Sequence, residues 1–252
     1  MALGGMGLFL LEAGAGTALL LPFFPTGTLG PGFFALHGGL AFLFVGLSAL
    51  THPPGLSMTL AAIAAGLLAL YTALARAKMA RGALPLLVAG AVSSLACLVE
   101  VAMAAPRPSG DLWTAFGAIL GGLFFGAVLL TMNLGHWYLV SRSLPFRLLA
   151  RGALLFAILA GARALLLAAA VAAGASRDGL SSLLSLEKDA LFFLFRVLWG
   201  IVGPLALSYF IWKTADMRSN QAATGLLYVA LVFVLIGELL SSYLTVATGF
   251  PA

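Results

Sequence analysis

Residues 112–140 read LWTAFGAILGGLFFGAVLLTMNLGHWYLV. No ionisable side chain precedes His136 in this run. About 20 apolar residues make a helix some 30 Å long, the thickness of a bilayer's hydrocarbon core. Nothing but a membrane or a fully enclosed core tolerates such a segment. The stretch is long enough to tilt or to project beyond the membrane.

The rest of the chain repeats this pattern. Apolar runs of spanning length cover about 5–24, 30–50, 56–75, 84–105, 149–174, 190–212 and 222–247, which with 112–140 makes eight. The connections are short and hold most of the prolines and charges. Of 252 residues, 62% are hydrophobic and 8% charged, against about 25% charged in a soluble domain. The expectation is an all-α, polytopic integral membrane protein of about eight transmembrane helices. It forms one transmembrane domain over 1–252, with membrane lipid as its surroundings. The amino-terminal run is read as the first retained helix, because Arg76 is the first basic residue and Glu12 interrupts the apolar stretch. The segment 175–189, where leucines alternate with serines, is expected to lie in the interface.

Charge placement gives the orientation. Arg76, Lys78 and Arg81 fall between the third and fourth runs, Arg142, Arg147 and Arg151 between the fifth and sixth, and Lys213 and Arg218 between the last two. The alternate connections hold only Arg107, Arg177 and Lys188, offset by Asp111, Asp178, Glu187 and Asp189. Basic loops stay in the cytoplasm. Both termini are therefore expected outside, in a bacterial cytoplasmic (inner) membrane. The net charge of +5 and pI near 9.8 are used up by this pattern, so nucleic acid is not an expected partner.

Ionisable groups within spans are functional candidates by default, because burying them in hydrocarbon costs several kcal/mol. They are Glu12, His37, Glu100, His136, Arg163, Arg196 and Glu238. Glu12, Glu100, Arg196 and Glu238 fall in the outer half of the membrane, with Arg163 near mid-span. Three acids and two arginines at similar depth neutralise one another where the helices bring them together. They form an ion-pair network that fixes packing, line a polar pocket for a small ligand or a proton path, or face lipid and snorkel toward the interface. His37 and His136 share a depth in the inner half, the minimum requirement for one bis-histidine haem b. Quinone hydrogen bonding, proton exchange and plain packing are the other readings of these histidines. Asn133, one turn before His136, is expected to share its face. Trp113, Trp137, Tyr138, Tyr209 and Trp212 read as interfacial aromatics. His52 with Pro53-Pro54 reads as a turn, and Cys97 as a small buried residue. Gly117/Gly121 and Gly122/Gly126 mark close helix packing. Gly203-Pro204 predicts a kink. No phosphate loop, dinucleotide fingerprint, catalytic triad or metal-ligand cluster is present in the sequence, so no catalytic residue or metal site is assigned.

Eight spans, outer termini and short loops, with Gly237-Glu238-Leu239 in the last run, resemble the quinone-interacting membrane anchors of polysulfide and dimethyl sulfoxide reductases. The resemblance implies a quinone beside a polar pocket, and electrons passed to an iron–sulfur or cytochrome partner subunit. It carries a role over to Glu238; the candidacy of Arg196 and His136 comes from depth and chemistry instead. Two other classes stand beside it. One is a secondary transporter of a small solute; the other is a structural membrane subunit without chemistry.

Overall fold

The computed structural model describes residues 2–104, 111–140, 144–145, 147–173, 188–248 and 250. Among them there is no strand. The helices are α1 (Ala2–Leu20), α2 (Pro31–Ala49), α3 (Leu56–Arg76), α4 (Leu84–Ala104), α5 (Asp111–Val140), α6 (Arg147–Ala172), α7 (Lys188–Val197), α8 (Gly203–Asp216) and α9 (Asn220–Thr248). A short 3₁₀ turn, Leu21–Phe23, extends α1, and a π-helical segment, Leu198–Val202, joins α7 to α8. These make eight spans among the described residues, each long and apolar enough to cross a membrane. The protein is an all-α polytopic membrane protein.

Local signals account for the helix ends. Pro31 opens α2, where its missing N–H is one of the unpaired donors any helix start has. α3 and α8 close alike. Lys78 (φ 66°) and Arg218 (φ 61°) are left-handed. Their N–H groups donate to Ala75 O and Ala215 O, both at 3.1 Å. A non-glycine residue there costs about 1 kcal/mol. Each is a cation at a helix carboxyl end, where the macrodipole favours positive charge.

Spans 1 and 5 form the centre of the bundle. Their apolar windows are 72% and 78% buried, against 22–44% for the other six. The outer spans show apolar side chains such as Ile63, Ile158 and Leu165 to the surroundings, as lipid contact requires. α1 and α5 cross with their backbones touching: a Cβ added to Gly16 would stand 1.7 Å from Gly122 O. This is the small-residue packing expected of Gly122/Gly126. The beginning of α1 meets the end of α9, where a Cβ on Gly5 would approach Tyr243 Cα to 3.0 Å. The chain ends therefore share one face of the bundle, called here the terminal end; the opposite, basic end carries the loop after α3.

The seventh run was expected as one kinked helix over 190–212. It is one span, Asp189–Asp216, in which a π-helical turn joins α7 to α8. Pro204 has no N–H, so the Gly200 carbonyl loses its ordinary helical donor. Arg196 Nη1 donates to that carbonyl at 3.2 Å. The interfacial segment expected over 175–189 lies outside the described residues apart from its last two positions, which begin α7.

Candidate functional site: a buried ionic centre

Four spans each bring one charged residue to a common point beside α5. Arg163 of α6 is 2% exposed, Arg196 of α7 0%, Glu238 of α9 0% and Glu12 of α1 4%. Arg163 grips Glu238 as a fork, with Nη2 2.9 Å from Oε2 and Nε 3.3 Å from Oε1. Arg196 Nη2 lies 3.0 Å from Oε1 on the other side. Both ion pairs thus fall on the same carboxylate. The Arg163 fork is charge-assisted and two-pronged, the stronger class of hydrogen bond.

The remaining donors of Arg163 find neutral acceptors. Arg163 Nη1 donates to Gly117 O at 3.1 Å and Nη2 to Ser241 Oγ at 2.8 Å. Arg196 Nε has no hydrogen-bond partner among the described residues. Glu12 is held differently. Ser242 Oγ, 3.0 Å from Glu238 O, donates to Glu12 Oε2 at 2.9 Å. With all four groups ionised the centre is neutral, two guanidinium groups against two carboxylates.

Glycine makes the space. A Cβ on Gly121 would fall 2.6 Å from Glu238 Oε2, and one on Gly237 would fall 2.2 Å from Gly200 Cα. Gly121 and the Gly200–Gly237 crossing admit Glu238 and Arg196 to the interior. One void remains, about 10 Å³ between Glu12, Thr114, Gly117, Arg163, Ser241 and Thr245, room for a single water. Thr245 lies two turns beyond Glu238 on α9, and Thr114 lies in the first turn of α5. Thr114, Ser241 and Thr245 thus border one buried void with Glu12, and Thr114 and Thr245 lie on its side toward the terminal end.

The expected residues divide. Glu12, Arg163, Arg196 and Glu238 come together; Glu100 does not. Its Oε2 is buried without a partner among the described residues. It stands near Cys97, whose Sγ–H meets Ser57 O at 3.2 Å, and near His52. His52 Nε2 lies 3.2 Å from Ser48 Oγ, which in turn donates to Gly7 O at 2.8 Å. Burial lowers the His52 pKa, with Glu100 opposing the shift. Depth from the sequence was alike for Glu12 and Glu100, but the faces of α1 and α4 separate them.

The histidines do not meet on one site. His37 is fully buried, with Nδ1 2.7 Å from Phe33 O and Nε2 3.0 Å from Asn133 Nδ2. The carbonyl assigns the proton to Nδ1, so Nε2 accepts from the Asn133 amide. Its metal-binding lone pair is in use. His136 is exposed and pairs through Nδ1 with Tyr228 Oη at 3.2 Å. Asn133 thus turns to α2 and His136 to α9, and the shared face expected for them is absent. A bis-histidine haem does not fit these residues. Nor does a quinone ring fit the ionic centre, whose void holds one water. Among the described residues no group of three His, Cys, Asp or Glu is placed to hold a metal ion.

Sequence reasoning missed Ser241, Ser242, Thr245 and the Gly117 and Gly200 carbonyls. Ser241 and Ser242 were within reach of it, lying three and four residues after Glu238 on the same helical face. No family model, curated protein or solved structure matches the chain.

Proposed function

We propose that the chain is the membrane subunit of a respiratory-type redox complex in a bacterial cytoplasmic membrane, and that its own chemical contribution is proton transfer at Glu12 toward the outer side. The observation that carries this reading is the contrast within the ionic centre. Glu238 is clamped by both arginines. Among the described residues Glu12 is held by one hydroxyl donor, and it borders a water-sized void lined by Thr114, Ser241 and Thr245. A carboxylate in that position takes up and releases a proton through hydroxyls and one water, while the Arg163–Glu238–Arg196 set stays fixed. In this reading the basic loops face the cytoplasm, and the terminal end, toward which Thr114 and Thr245 lie, faces outward. The eight-span layout and Gly237-Glu238 support the membrane-anchor role, with an iron–sulfur or cytochrome subunit as the electron-transfer partner. Quinone chemistry of such a complex falls outside the ionic centre. Among the described residues His136 and Tyr228 form an exposed polar pair that such chemistry could use.

The test is extraction from the native membrane in mild detergent, with mass spectrometry of whatever co-purifies. The reading predicts a stoichiometric metal-containing redox partner. It also predicts that Glu12→Gln lowers quinone-dependent turnover of the assembled complex by about 100-fold. Normal turnover in that variant would reduce the centre to a structural frame.

A second reading, a small-solute carrier, is favoured by the π-helical break at Leu198–Val202 beside Arg196. Broken spans expose backbone carbonyls at substrate sites in transporters. A chain that purifies alone and drives solute-dependent proton uptake in vesicles would establish this reading and exclude the first.

A further inference from the structure

At the basic end, away from the ionic centre, α2 and α3 leave a groove between them. Two cavities of about 690 Å³ each lie against α2. The first is apolar, with Leu36, Gly39, Phe42 and Ala69 among its walls, and ends at Arg76. The second is bounded by Pro31 and Phe34 and carries Lys78 and Arg81. Pro31, Ala35, Gly39 and Phe42 recur at helical spacing, so the two cavities follow one strip of α2, about 16 Å long at 1.5 Å per residue.

The ends of this strip differ in chemistry. Phe42 and Leu43 are 40% and 47% exposed at the membrane-facing end. The other end holds Arg76, Lys78 and Arg81 within six residues, and no Asp or Glu occurs between Glu12 and Glu100. Lys78 is fixed in the left-handed conformation at the close of α3. Arg81 Nε donates to Thr26 Oγ1 at 3.1 Å, tying the loop to the turn before α2. Arg76 thus closes the apolar cavity, and Lys78 and Arg81 line the neighbouring one on the same strip of α2.

We propose that this groove is a binding site for one anionic phospholipid, with its phosphate at Arg76 and Lys78 and an acyl chain along Gly39 and Phe42. The charge pattern selects this occupant: a single cationic end on an otherwise apolar channel matches a lipid with an anionic headgroup. Basic pockets at the cytoplasmic ends of spans bind such headgroups in this way. The site is independent of proton transfer at Glu12.

The experiment is native mass spectrometry of the full chain, delipidated in detergent and titrated with phosphatidylglycerol or phosphatidylcholine. The wild type retains one phosphatidylglycerol, with affinity about tenfold above that for phosphatidylcholine. Arg76→Gln with Lys78→Gln abolishes this preference, and Lys213→Gln, a basic-end control outside the groove, leaves it intact. Gly39→Leu fills the channel without changing charge and lowers retention of both lipids. Equal retention of the two lipids by the wild type would overturn the proposal. So would a loss in the Lys213→Gln control equal to that in the groove variant, since attraction would then be general to the basic face. Retention unaffected by both groove variants, or an acidic partner protein found on these residues, would overturn it as well.

Discussion

Glu238 serves two arginines at once, and this sets what each substitution in the centre does. Removing one member of a buried ion pair costs about 3–5 kcal/mol, because the other is left charged and unpaired. Arg196→Met leaves one guanidinium against Glu238 and, wherever Glu12 is ionised, a second carboxylate; a loss of that size is expected in detergent-solubilised thermal stability at a pH that ionises Glu12. Adding Glu12→Gln restores neutrality around the Arg163–Glu238 fork, so the double variant should recover at least about 1 kcal/mol relative to Arg196→Met alone. Strict additivity of the two changes would mean that Glu12 does not feel the arginines. Glu238→Gln should be the most damaging single change, since it sets Arg163 and Arg196 against each other with no anion between them.

At the scale of helices, α1 and α5 hold the bundle together by backbone contact. Gly16→Val drives side-chain atoms into Gly122 O, which a Cβ alone would already approach to 1.7 Å. It should abolish recovery of monodisperse protein on size exclusion. Gly225→Ala, where a Cβ meets nothing within 4 Å, should leave the profile unchanged. The spans were legible in the sequence because run length and charge placement alone define them. Rotation about each helix axis was not. α1 and α5 are apolar on all sides, as buried helices are, and nothing in their sequences marks which face Glu12 or Asn133 presents. Hence Glu12 and Glu100 looked equivalent by depth, and Asn133 and His136 looked like neighbours on one face. The break in span 7 was half legible. Pro204 predicts an unpaired carbonyl one turn back, at Gly200, and Arg196 lies one turn before that; only the folded chain shows the guanidinium turning to meet it.

Across the whole molecule, polarity is distributed unevenly. The basic end carries cations on its loops, and the ionic centre lies deep in the bundle. Between that centre and the terminal end run the hydroxyls of Ser241, Ser242, Thr245 and Thr114, all buried. In the proposed proton transfer these hydroxyls carry the proton to and from Glu12; in a purely structural frame they only satisfy buried neighbours. Infrared difference spectroscopy of the reconstituted protein, in H₂O and D₂O across a pH titration, tests this most directly. The account predicts a protonated-carboxyl band that shifts on deuteration, titrates with the bulk pH and disappears in Glu12→Gln but persists in Glu100→Gln. A spectrum without such a band, or with one unaffected by Glu12→Gln, would contradict it and leave the four charges as a permanent frame.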